Sequence, residues 1–117
     1  MITFDTAPKV YLALGNTDMR KSIDGLSILV AEHLSLDPFS GYLFAFSNRS
    51  RSIVKLLFWD RNGFWILQKR LEKGKFKWPS SESEVMELTK MELRWLIDGL
   101  DPLKQHGFPQ LKYSTIY

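Results

Sequence analysis

Short apolar runs separated by polar turns fill most of the chain, and two longer stretches carry apolar residues three and four apart. "KVYLAL", positions 9 to 14, is apolar and closed by Gly15-Asn16, which predicts a strand. Asp18 then stands where a helix N-cap would, and Ile23, Leu26, Val30 and Leu34 follow at helical spacing, with Ile28 and Leu29 widening the stripe. A helix from about 19 to 34 follows, although Gly25 inside it costs about 1 kcal/mol against alanine. "LDPFSG", 36 to 41, is the turn that ends it.

Period-two alternation comes next. Tyr42, Phe44 and Phe46 alternate with Leu43, Ala45 and Ser47; after the polar "NRSRS", Ile53, Lys55, Leu57 and Trp59 alternate with Val54, Leu56 and Phe58. Asn62-Gly63 is a hairpin signal, since both residues accept the positive φ of tight β-turns. A third strand runs from 64 to about 71, with "GKFKWP" a candidate extension that Pro79 stops. "VMEL" reads as a short strand. Thr89-Lys90-Met91-Glu92 has capping-box form ahead of a second helix with Leu93, Leu96, Ile97 and Leu100 as its stripe, ended by Gly99 and Pro102. The order β-α-β-β-β-(β)-α predicts an α+β fold: an antiparallel β-meander of about four to five strands with two helices packed on one face.

Composition narrows the class. A chain of 117 residues, 44% hydrophobic and 25% charged, is expected to form a single domain over 1–117, with 1–8 and 102–117 loosely attached. The absence of cysteine removes disulfides, thiolate chemistry and cysteine-based zinc sites, and is compatible with a cytoplasmic setting. The beginning "MITFDTAPKV" lacks a signal-peptide pattern, and no apolar run approaches the roughly 18 residues of a membrane helix. A membrane partner is therefore not expected.

Charge changes the picture more. Between positions 49 and 77 stand nine cations (Arg49, Arg51, Lys55, Arg61, Lys69, Arg70, Lys73, Lys75 and Lys77) and two anions, Asp60 and Glu72, a net +7. The remainder of the chain is net −4. Such a lopsided segment points to a polyanionic partner, because lysine and arginine neutralise phosphates and release their counterions. In "KGKFKW", alternation places Lys73, Lys75 and Lys77 on one side and Phe76 and Trp78 on the other. Trp59, Trp65 and Trp78 are expected to be core side chains rather than stacking platforms, so the aromatic side faces inward and the cationic side outward. The competing explanation is a solvated edge strand that lysines protect from aggregation.

Other chemistries are weakly represented. His33 and His106 have no second metal ligand at helical or turn spacing. Asp18, Asp24, Asp60 and Glu72 are the carboxylates that a metal-dependent nuclease would need to bring together. Each also has a plainer role: a cap, an exposed helix position, the start of a turn, and a partner for nearby lysines. There is no phosphate-binding glycine loop, and no serine has a histidine at a motif spacing. No catalytic residues, metal, cofactor or small-molecule substrate are expected.

"DMRKSIDGL" (18 to 26), "DPFSGYLFAFSNR" (37 to 49) and "KLLFWDRNGFWILQKRLEKGKFKWP" (55 to 79) occur in this order, and "LTKMELRWLIDGL" follows them. Together they resemble the small accessory proteins, of the type called TnpB, encoded by the second open reading frame of the insertion-sequence-sixty-six transposons. The resemblance spans roughly residues 10 to 100. It implies a protein required for transposition beside a separate, larger transposase, and it brings no catalytic residues with it.

The expectation is thus a non-enzymatic accessory protein that contacts element DNA. Arg49, Arg51, Arg61, Lys69, Arg70, Lys73, Lys75 and Lys77 are the expected phosphate contacts, with Arg20 and Lys21 a second group in the first turn of a helix, poorly placed for its dipole. Two other readings stand beside it. One is a protein-interaction module that docks on the transposase without touching DNA. The other is a small magnesium-dependent nuclease using Asp18 or Asp60.

Overall fold

The computed structural model of the protein describes residues 7–105. Residues 1–6 and 106–117, which hold most of the two terminal segments and His106, lie outside the described residues. Strand β1 (Val10–Asn16) leads into helix α1 (Ile23–Ile28), which continues as a π-helical turn over Leu29–His33. Strands β2 (Leu43–Ser47), β3 (Ile53–Asp60) and β4 (Gly63–Arg70) follow, then β5 (Val85–Leu88) and helix α2 (Lys90–Ile97). The α+β class and the order of elements are those predicted.

The sheet is mixed, in the order β4-β3-β2-β1-β5. Strands β2, β3 and β4 form the predicted antiparallel meander, but β1 pairs with β2 in parallel. That pairing requires a crossover, which the α1 segment supplies. "GKFKWP" does not extend β4. The next strand, β5, pairs antiparallel with β1 at the opposite edge.

The helices lie on opposite faces, not on one. Leu26, Val30 and Leu34 pack with Ala13, Phe44, Phe46 and Leu57 on the first face. Leu93 and Leu96 pack with Val10, Leu12, Leu14, Leu43, Ala45, Val54, Leu56 and Phe58 on the second. Both faces of β2 are consequently buried along its length, which is why its sequence is apolar almost throughout.

Two local departures from expectation have physical causes. Helix α1 starts four residues later than the pattern suggested, because Asp18 caps a turn rather than the helix: its carboxylate accepts from the Arg20 main-chain N–H at 2.9 Å, and its main-chain oxygen accepts from Lys21 N–H. The four-residue steps from Leu26 to Val30 to Leu34 would drift by about 80° around a 3.6-residue helix. A wider π turn, closed by Leu34 N–H donating to Leu29 O, keeps all three side chains on the sheet. Helix α2 follows its sequence signals closely. Thr89 and Glu92 form the reciprocal capping box, and Gly99 at φ 89 closes the other end as Leu100 N–H donates to Trp95 O. Leu100, expected in the stripe, is exposed beyond that cap.

Candidate nucleic-acid interface

The topology gathers one end of the sheet from three connections. Strands β1 and β2 finish there, β3 starts there, and β4 finishes there, so the 17–22 loop, the 48–52 turn and the segment after Arg70 are neighbours. Two side chains tie them together. Arg51 donates to Leu14 O at 3.0 Å and to Gly15 O, and Lys55 Nζ donates to Met19 O at 2.7 Å and Lys21 O at 2.9 Å. Ten cations stand at this end: Arg20, Lys21, Arg49, Arg51, Lys55, Lys69, Arg70, Lys73, Lys75 and Lys77. Among the described residues, Asp18, Asp24, Glu72, Glu82 and Glu84 are the acidic residues carried by these connections and their flanks, and Asp98 follows Ile97, whose carbonyl Lys69 holds.

Nine of the ten residues expected to contact phosphate therefore share one end. The exception is Arg61. It occupies the β3–β4 hairpin at the far end of the sheet, separated from the rest by the length of β3.

The nine are not equivalent. Arg51 is a brace: besides its two carbonyl acceptors, its guanidinium lies 5.6 Å from the ring centroid of Trp78, and partial burial pushes its pKa down. Lys69 donates to Ile97 O at 2.9 Å, where it satisfies an orphan carbonyl of α2. Arg20 is held by Asp18 through both carboxylate oxygens, the shortest contact being 2.7 Å, and Arg70 pairs with Glu72 at 3.3 Å. Lys69 and Arg70 also project to opposite faces, since they are consecutive on a strand. Among the described residues, the side chains of Lys21, Arg49, Lys73, Lys75 and Lys77 make no hydrogen bond or ion pair, and all five are exposed.

The segment carrying three of these five is anchored from beneath. Phe76 is buried and its N–H donates to Arg51 O at 2.8 Å; Trp78 Nε1 donates to Ala13 O at 3.0 Å; Pro79 is buried. Lys73, Lys75 and Lys77 alternate with these anchors and point outward, the partition expected from "KGKFKW" without the strand expected to produce it.

Arg49 is presented by a turn that Asn48 organises. The Asn48 side-chain oxygen Oδ1 accepts from the N–H groups of Ser52 and Ile53, and its side-chain Nδ2 donates to the hydroxyls of Ser50 and Ser52. Neither Asn48 nor Lys55 was singled out from sequence. Asn48 had a usable signal, an asparagine opening a serine-rich turn. Lys55 had only its break in the apolar run of β3.

The tryptophans divide. Trp78 is an anchor, and Trp59 packs edge-on against Phe39 and Phe64. Trp65 is 47% exposed, contrary to the core role expected of it, with Nε1 donating to Asp60 Oδ2 at 3.2 Å.

The carboxylates considered for a nuclease do not assemble. Asp18 and Asp60 stand at opposite ends of the sheet, Glu72 is paired with Arg70, and among the described residues no group of three or more histidine, cysteine or acidic side chains could hold a metal ion. No helix among them is long and apolar enough to cross a membrane.

A mixed five-stranded α+β domain with a braced cationic end is the class that fold and surface define. Residues 8–107 match the family described as IS66 Orf2 like protein, and the chain belongs to that family. It is 39% identical over 93 residues to y4hO of Sinorhizobium fredii, an uncharacterized protein, covering 80% of this chain and 81% of that one. A second uncharacterized protein of that organism, y4jC, is 30% identical over 93 residues, covering 80% of each chain. No solved structure matches. Membership implies an accessory role in the transposition of an insertion sequence, beside its transposase.

Proposed function

We propose that the protein serves transposition by binding DNA in the cytoplasm through the cationic end of its sheet. The observation that supports this reading is the set of five unengaged cations, Lys21, Arg49, Lys73, Lys75 and Lys77, displayed by three loops that Arg51, Lys55, Asn48, Phe76 and Trp78 hold in place. Such a surface suits phosphate, which a flexible ammonium or guanidinium contacts without reading sequence. Lys69, Arg70 and Arg20 take a lesser part, because each must first leave an existing partner. Arg51 and Lys55 support the surface from within, and Arg61 stands outside it.

The test is binding to labelled element-end DNA and to a scrambled duplex across a salt series. Steeply salt-dependent affinity, equal for both duplexes, is the expected result; a preference for element ends would add sequence recognition. No binding at low salt would overturn the reading and transfer the cationic end to a contact with the transposase.

A further inference from the structure

Strand β4 is the outermost strand beyond β3, and among the described residues no strand pairs with its other edge along any of its eight residues. Open edges are commonly blunted by proline, bulges or a covering element. Gly63–Arg70 contains no proline and pairs with β3 in unbroken register, and its cations, Lys69 and Arg70, are confined to its last two positions. Asp60 and Gly63 are partners at the hairpin, and Leu71 N–H donates to Ser52 O at 2.8 Å, which fixes the alternation along the unbroken register of β4. Gly63, Trp65, Leu67 and Lys69 direct their main-chain groups at β3. Those of Phe64, Ile66, Gln68 and Arg70 face the open edge.

The side chains along this edge are apolar where solvent would favour polar ones. Trp65 is 47% exposed and Leu67 40%, beside a groove of about 190 Å³ lined by Val54, Leu56, Leu67, Gln68, Lys69 and Ile97. Phe64 and Ile66 are only partly covered on the other face. The aromatic residues Phe64 and Trp65 stand at the hairpin end, which Asp60 and Arg61 leave neutral, and the cations Lys69 and Arg70 stand at the far end.

We infer that β4 pairs antiparallel with β4 of a second copy of this chain, with Leu67 opposite Leu67 on the dyad. A two-fold pairing is self-complementary only if each end of the strand suits the other. In this register Lys69 lies opposite the partner's Trp65 and Arg70 opposite the partner's Phe64, so each cation meets an aromatic ring. All four outward-facing residues are used, as Ile66 pairs with Gln68 and Phe64 with Arg70, making about eight main-chain hydrogen bonds. Moving the dyad to Ile66 would leave Arg70 opposite the hairpin turn and forfeit a bonded pair. The resulting ten-stranded sheet carries its two cationic ends facing opposite ways. If those ends bind DNA as proposed above, the dimer joins two duplexes rather than gripping one, which suits an element with two ends.

The experiment uses the full chain without DNA, so that its outcome is independent of the DNA reading. Light scattering at about 100 µM is expected to give twice 13.7 kDa. The chain has no cysteine, so Leu67→Cys introduces a single thiol. Directly opposed residues in a non-bonded antiparallel pair lie about 4.5 Å apart at Cα, within the range of a disulfide, so mild oxidation should link this variant quantitatively. Ile28→Cys, more exposed than Leu67 but on α1, should not be linked. Leu67→Lys and Gln68→Pro should give monomers with unchanged circular dichroism; the proline removes an N–H that β3 does not use. A one-copy mass for the unaltered chain would overturn the proposal. So would a dimer in which Leu67→Cys is no more readily linked than Ile28→Cys.

Discussion

The guanidinium of Arg51 donates to the main-chain oxygen of Leu14 at 3.0 Å while lying 5.6 Å from the ring centroid of Trp78. One side chain thus joins the β2–β3 turn, the end of β1 and the anchored lysine segment. Arg51→Ala is expected to destabilise the protein by about 2 kcal/mol, the range for a hydrogen bond to a charged group. Arg51→Lys should recover little of this, since a single ammonium cannot reproduce the fork over both carbonyls and the ring. Chemical unfolding measures it. A loss under about 0.5 kcal/mol, the scale of an ordinary surface change, would reduce Arg51 to one more surface cation.

The opposite signature is expected of Lys73, Lys75 and Lys77. Replacing all three by glutamine should leave stability within about 0.5 kcal/mol, because their side chains are exposed and make no hydrogen bond or ion pair among the described residues. On the DNA reading, affinity should fall for every duplex, and the slope of log K against log salt should flatten by about 0.9 for each lysine that meets a phosphate. Binding at several salt concentrations decides it. An unchanged slope would remove these lysines from the interface.

Much of this fold was legible because its signals are local. The capping box at Thr89, the alternation through β3 and β4, and the inward Phe76 and Trp78 each depend on residues a few positions apart. The hairpin was placed one residue late: Asn62-Gly63 has the favoured chemistry, yet Arg61 takes the positive φ and Gly63 begins β4 opposite Asp60. The placement of helices on both faces was missed even though "YLFAF" and "IVKLLFW" carry apolar residues at nearly every position, the mark of strands covered on two sides. The true roles of Arg51 and Lys55 were not legible at all. Their acceptors are main-chain oxygens 37 and 36 residues away, and no side-chain pattern reports a carbonyl. The cationic segment was visible as charge, but which cations are engaged depends on the three-dimensional arrangement.

Asp18 supplies a prediction in pH. The Arg20 guanidinium, and after it the Arg20 main-chain N–H, hold the Asp18 carboxyl well below the usual carboxylate range. A depressed folded-state value means that the unfolded chain takes up the proton first. The pair's contribution is therefore fully present above the ordinary aspartate value of about 3.9 and lost as pH falls through the folded one. Following the Asp18 carboxyl carbon by NMR should show it still ionised at about pH 3; a midpoint near 3.9 would mean that the pair does not persist in solution. Asp18→Asn frees Arg20, and on the DNA reading should strengthen binding and steepen the salt slope by up to about 0.9.

Arg61 is a position where backbone and residue type conflict. Its φ is 54, and Asn62 N–H donates to Asp60 O across it, a tight turn that a side chain with a Cβ tolerates poorly. Glycine takes this conformation without steric cost, so Arg61→Gly should relieve about 1 kcal/mol, partly offset by the greater freedom of the unfolded chain. The side chain stands at the far end of the sheet from the cationic loops. The same variant should therefore bind DNA with unchanged affinity and salt slope, although it removes a cation from the most basic stretch of the sequence. Thermal unfolding and the salt series together make the test. A drop in affinity comparable to that of losing Lys75 would show that DNA runs along the strands to the hairpin, and that the interface is a face of the sheet rather than its end.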